Sequence, residues 1–138
     1  MNLLKSPNKR DMTPNKFRRL ALDLPGVTER EHMGHPDFRV EGRIIATLGY
    51  PDENWGMVKL TPEQQRSFVT MTPGAFRPCN GIWGERGATN VHLETAKVTV
   101  VRAALDAAWR DVVGKSLGRS SRLGHAGGPG MAPERRKS

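Results

Sequence analysis

At 138 residues the chain has room for one domain with a real core and not for two. No run approaches 18 consecutive apolar residues, which excludes a membrane-spanning helix, and Met1 to Pro7 holds no apolar segment long enough for a secretory signal. A single cysteine, Cys79, rules out an internal disulfide and suits a reducing compartment, so the expectation is a cytoplasmic protein.

The net charge of +8 points towards nucleic acid only if the charge sits on the domain. Residues 1–12 carry a net +2 and residues 118–138 a net +4, leaving +2 on residues 13–117. Three quarters of the excess therefore belongs to the ends, which can touch phosphates as basic arms but say little about the domain.

In chain order, residues 1–12 are polar and aperiodic and are expected to be a flexible segment, with either Met1 or Met12 as the native start. Thr13-Pro14 opens a helix: the Thr hydroxyl caps an orphan amide, and Pro at the first helical position gives up no hydrogen bond. Phe17, Leu20, Ala21 and Leu24 then form one apolar stripe, which Pro25-Gly26 ends. Val27 to Met33 reads as a short, half-exposed strand. Residues 37–40 and 43–48 read as a hairpin about Glu41-Gly42, although alternation fails at Ile44-Ile45. After a loop at 50–54, Trp55 to Leu60 is the next strand. Thr61-Pro62-Glu63-Gln64 is a capping box opening a short helix over 62–69. Residues 71–80 are expected to wander. Gly81 to Leu93 reads as two short strands around a Gly-rich turn. Thr95 is placed as the cap of the longest helix, about Ala96 to Leu117, with a stripe from Val98 through Val101, Leu105 and Ala108 to Val112. From Gly118 the Gly, Ser, Arg and Pro content predicts a disordered basic tail. The order of elements predicts one α+β domain over residues 13–117, with the N-terminal and C-terminal helices packed on one face of an antiparallel sheet.

Several patterns carry possible chemistry. His32-x-x-His35, with Cys79 and His92 elsewhere, is the nearest approach to a zinc pattern, but a second close pair is missing and no metal is expected. Arg77-Pro78-Cys79-Asn80 has neither a nucleophile elbow nor a helix N-terminus to activate the thiol. The glycines at 81, 84 and 87 are spaced like a phosphate loop, yet without a clear buried strand before or a helix directly after, and read instead as a hairpin turn. Trp83 beside them is either a core anchor or an exposed stacking platform, and the area a Trp buries favours the core. Arg39 and Arg43 flank the Glu41-Gly42 turn, Lys59 lies on a later strand and Arg86 is near the Gly-rich turn. As β-ribbon tips these basics could straddle phosphates, or they are ordinary solvated charges balanced by Glu41 and Glu85.

The segment Leu20-Ala21-Leu22-Asp23-Leu24-Pro25-Gly26-Val27, the run His32-Met33-Gly34-His35-Pro36-Asp37-Phe38-Arg39-Val40-Glu41-Gly42-Arg43-Ile44-Ile45-Ala46, the junction Val58-Lys59-Leu60-Thr61-Pro62-Glu63-Gln64, Gly81-Ile82-Trp83-Gly84, Val91-His92-Leu93 and Ala108-Trp109 together resemble the MmcQ/YjbR family over about 105 residues. The resemblance implies a frataxin-like (CyaY-like) α+β fold and DNA-binding through a "double wing" of two β-hairpins, with no enzymatic activity, metal or cofactor. The long Gly/Arg tail departs from the family pattern. Iron handling on such a fold needs clustered carboxylates, and the first helix offers Lys16, Arg18 and Arg19 against Asp23 alone.

The leading expectation is thus a non-enzymatic protein that contacts DNA weakly and salt-dependently through Arg39, Arg43, Lys59, Trp83 and Arg86. The alternative is a protein-interaction or small-ligand module using a surface lined by Phe38, Trp55, Met57 and Trp83. An enzyme ranks third, because no acid, base and orienting group can be named in mutual reach.

Overall fold

The computed structural model describes residues 12–127. Its elements are α1 (Pro14–Leu22), β1 (Thr28–His32), β2 (His35–Val40), β3 (Arg43–Leu48), β4 (Trp55–Lys59), α2 (Pro62–Met71), β5 (Phe76–Pro78), α3 (Gly81–Glu85), β6 (Ala88–His92) and α4 (Val98–Gly127). The strands form one antiparallel sheet in the order β1-β2-β3-β4-β6-β5. This is the single α+β domain that the order of elements predicts.

Local chemistry starts the helices where the sequence places them. The Thr13 hydroxyl accepts from the Lys16 amide at 3.0 Å, with Pro14 beginning α1. In the capping box of α2 the Thr61 hydroxyl accepts from the Gln64 amide at 3.1 Å, and the Gln64 side chain accepts from the Thr61 amide at 2.9 Å.

Alternation along the strands then sorts side chains between two faces. Phe38, Ala46, Leu48, Val58, Thr89, Val91 and Phe76 are buried, and their pairing puts them on a common side. Phe17, Leu20 and Ala21 of α1 and Val101, Ala104, Leu105 and Ala108 of α4 close over that side in one core. Burying each large apolar side chain there is worth about 1.5–3 kcal/mol. Gly56 lets α1 come close, since a Cβ at that position would stand 3.1 Å from the Phe17 ring. At the far end α2 lays Phe68 against Phe76, with ring centroids 5.5 Å apart.

The irregularity at Ile44-Ile45 has a structural cause. Phe38 pairs with Ala46 and Arg39 with Ile44, so Ile45 is the extra residue of a β-bulge. The bulge allows Ile45 and Ala46 both to be buried while Ile44 turns to the opposite face. The Glu41-Gly42 turn has two consecutive positive φ angles, 55° and 76°, as the tight hairpin requires. Met33-Gly34 makes the same kind of turn, 54° and 84°, between β1 and β2.

Four expectations are corrected. Residues 71–80 do not simply wander: Phe76–Pro78 form the edge strand β5, anchored by Phe76 in the core. Gly81 to Leu93 is not a pair of strands about a turn, because its first half is the short helix α3. Two of the three glycines serve close packing: a Cβ on Gly84 would lie 1.7 Å from the Cys79 carbonyl oxygen, and one on Gly87 1.9 Å from that of Leu60. Thr95 does not cap α4, which begins at Val98; its hydroxyl instead sits 3.1 Å from His92 Nδ1. Finally, α4 continues past Leu117 to Gly127. Gly118 and Gly124 each cost a helix only about 1 kcal/mol, and no proline intervenes before Pro129. The rest of the predicted tail, and residues 1–11, lie outside the described residues.

Candidate nucleic-acid interface

The face of the sheet turned away from the helices is organised by the strand register. Asp37, Thr47, Met57, Asn90 and Arg77 are successive partners from β2 to β5 and form one row across it. Beside that row Trp55 pairs with His92, their rings 4.7 Å apart, and the Arg77 guanidinium lies 4.5 Å from the Trp55 ring. This face, together with the Tyr50-Pro51 corner, the α3 segment and the passing edge of α4, bounds a concavity of about 850 Å³.

All five residues singled out from the sequence, Arg39, Arg43, Lys59, Trp83 and Arg86, line this concavity. They come from four separate segments: Arg39 from β2, Arg43 from the start of β3, Lys59 from the end of β4, and Trp83 and Arg86 from α3 and its cap. Lys59 pairs with Ala88, which brings it to the strand that follows α3.

Their electrostatic states differ. Arg39 forms a two-pronged ion pair with Asp37, Nε to Oδ1 at 2.8 Å and the terminal nitrogen to Oδ2 at 3.0 Å. The hydrogen bond to Asp37 raises the guanidinium pKa above its ordinary value. Asp37 is 1% exposed, so Arg39 acts first as the counter-ion of a buried carboxylate. Among the described residues the remaining ion pairs are Arg18–Glu29, Arg110–Asp106 and Lys115–Asp111. None of these involves Arg43, Lys59 or Arg86, which line the concavity with no carboxylate bonded to them among the described residues.

Two further expectations fail here. Trp83 is no core anchor: its residue is 61% exposed. Phe38 is fully buried on the helix side and stands 6.2 Å from Phe17, so it cannot belong to a binding surface with Trp55 and Met57.

One buried polar group was not visible as a site residue in the sequence. The two N–H groups of Gln65 Nε2, on α2, serve three acceptors, one of them shared: the Gly84 carbonyl at 3.0 Å, the Ala88 carbonyl at 3.0 Å and the Thr89 hydroxyl at 3.2 Å. Gln65 ties α3 to the sheet and so fixes the segment bearing Trp83 and Arg86. Asn90 on the floor also escaped notice; the alternation of β6, which puts it opposite Met57, was the available signal.

The residues weighed earlier as metal ligands or nucleophile stand apart. The His35 ring lies edge-on to Tyr50, His92 lies on Trp55, and Cys79 Sγ is 3.2 Å from Asn90 Oδ1. Among the described residues no three of His, Cys, Asp and Glu gather where they could hold a metal ion. Burial pushes the Cys79 thiol up from its ordinary pKa, the opposite of nucleophile activation. Nor is any helix among the described residues long and apolar enough to cross a membrane.

The YjbR family model matches residues 22–111, which runs from the end of α1 into α4 and takes in the whole sheet. The chain belongs to the YjbR family. Among solved structures, this YjbR-family chain is similar to the crystal structure of Deinococcus radiodurans protein DR2400, with domain DUF419. The TM-score is 0.67 at 16% identity, over 92% of this chain and 97% of that one. At that identity the likeness is one of fold. No curated protein matches the sequence.

Proposed function

We propose that this YjbR-family chain is a non-enzymatic DNA-binding module whose concave sheet face holds phosphates weakly through Arg43, Lys59 and Arg86. The observation that carries this reading is the convergence of those three cations, none held in an ion pair among the described residues, on one 850 Å³ concavity beside the exposed Trp83. The reading keeps Arg43, beside the Glu41-Gly42 turn, and adds Lys59 at the end of β4 and Arg86 at the cap of α3. The two tips carry Met33-Gly34 and Glu41-Gly42, an apolar and an acidic side chain, which offer phosphates no attraction.

The test is fluorescence anisotropy of labelled DNA with the full chain over a salt series. Arg43→Ala with Arg86→Ala should weaken binding to all sequences alike and reduce the slope of log affinity against log salt by about 2, since each neutralised phosphate contributes roughly 0.7–0.9. An unchanged slope, with binding lost on replacing Arg135, Arg136 and Lys137 by Ala, would assign binding to the tail and refute the proposal.

A second reading is favoured by one observation: Ile44, Met57 and Tyr50 also line the concavity, while the Arg39–Asp37 pair neutralises one wall. A small ligand or protein segment with an anionic group would suit that mixture. It predicts binding that barely responds to DNA and survives high salt.

A further inference from the structure

We infer that the concave face takes single-stranded rather than duplex nucleic acid, with an unpaired base stacked on Trp83 and the neighbouring phosphates on Arg43, Lys59 and Arg86; this rests on the nucleic-acid reading above. Three observations lead to it. Trp83 is 61% exposed although it lies on a segment fixed at both of its tight glycines and by Gln65, so its exposure belongs to a well-anchored element. The cations line the same 850 Å³ concavity as the ring, so a strand stacked on the ring lies in a space that carries positive charge. Residues of α3, the Tyr50-Pro51 corner and the sheet line the concavity together, so a base on Trp83 would lie within a built wall and not on a flat surface.

The physical argument is about which bases have a free face. In a duplex both faces of each base are stacked on neighbours, so an indole beside the helix has nothing to stack on. An unpaired base offers its whole π-face, and stacking on an aromatic side chain is tolerant of sequence. The two-residue tips of the hairpins that would enter a duplex's grooves are Met33-Gly34 and Glu41-Gly42, which carry no cation. Charge complementarity selects the polyanion: Arg43, Lys59 and Arg86 line the wall, and the one carboxylate of α4 that lines it, Asp111, is already paired with Lys115 at 3.4 Å.

The experiment compares oligothymidine, oligouridine, an abasic strand and a duplex of equal length at one salt concentration, using the full chain. Oligothymidine or oligouridine should bind about tenfold or more tighter than the duplex, and the abasic strand should fall back to the duplex level. Trp83→Ala should remove that preference and leave the salt slope intact, while Trp83→Phe retains most of it; an unchanged melting temperature shows that both variants fold. Preference for DNA or RNA between the two unpaired strands identifies the natural source, and either supports the inference. Equal binding of duplex and single strand, unaffected by Trp83→Ala but lost in Arg43→Ala with Arg86→Ala, overturns the stacking and leaves the phosphate reading standing. No binding of any probe overturns both.

Discussion

Gln65→Met tests whether one buried amide holds the candidate interface in place. The substitution keeps the length and approximate volume of the side chain and removes the hydrogen bonds that the two N–H groups of Nε2 share among the Gly84 and Ala88 carbonyls and the Thr89 hydroxyl. None of the three acceptors is orphaned. The Gly84 carbonyl still accepts from the Gly87 amide at 3.0 Å, the Ala88 carbonyl accepts from the Cys79 amide at 2.9 Å, and the Thr89 hydroxyl donates to the Gly87 carbonyl at 2.8 Å. The full penalty for stranding a buried acceptor therefore does not apply, and each lost bond costs about 0.5–1.5 kcal/mol, partly offset by the apolar thioether. The expected loss is about 1–3 kcal/mol, or roughly 5–15 °C in melting temperature for a domain of this size. Circular dichroism melts and urea titrations measure it, and DNA affinity should fall too as Trp83 and Arg86 loosen. A control sharpens the result. Gln65→Glu would point a carboxylate at three acceptor oxygens, raising its folded pKa above the unfolded value of about 4.3. Its deficit should thus be small below pH ~4 and grow as the pH rises. A Gln65→Met protein within about 0.5 kcal/mol of wild type, binding DNA normally, would refute the assigned role of Gln65.

Other substitutions separate stability from binding. Arg39→Ala should lower the melting temperature and change DNA affinity less than Arg43→Ala, because Arg39 is committed to the buried Asp37 while Arg43 faces the concavity; melts and anisotropy on the two variants decide it. Gly87→Ala should abolish soluble expression or lower the melting temperature by more than 10 °C, since φ there is +113° and the new Cβ would meet the Leu60 carbonyl. Cys79 should react with iodoacetamide more slowly in the native than in the urea-unfolded protein at pH 8, and its rate should rise with pH along a curve shifted upward, because burial disfavours its thiolate. Trp109→Phe removes the 2.8 Å hydrogen bond from the indole to the Pro25 carbonyl, which ties α4 to the end of α1, and should cost about 0.5–1.5 kcal/mol by urea titration.

What the sequence by itself determined were features that depend on a few adjacent residues. The Thr13 and Thr61 caps, the apolar stripes of α1 and α4 and the Glu41-Gly42 turn are local chemistry, and each stands where the sequence puts it. Charge bookkeeping along the chain also placed three quarters of the net charge on the ends, leaving a candidate interface to rest on individual residues of the domain. Tertiary structure decided the rest, because burial and pairing are set by partners far away in the chain. Phe76–Pro78 is a strand only because β6 offers it an edge, and Gly81–Glu85, a helix rather than a strand, packs Gly84 directly against the Cys79 backbone. Arg39 and Arg43, alike in sequence on either side of one turn, part company because Asp37 is buried beneath the first. Trp83 looked like core material by area alone, but α2, through Gln65, secures its segment without it and leaves the ring on the wall of the concavity with Arg43, Lys59 and Arg86.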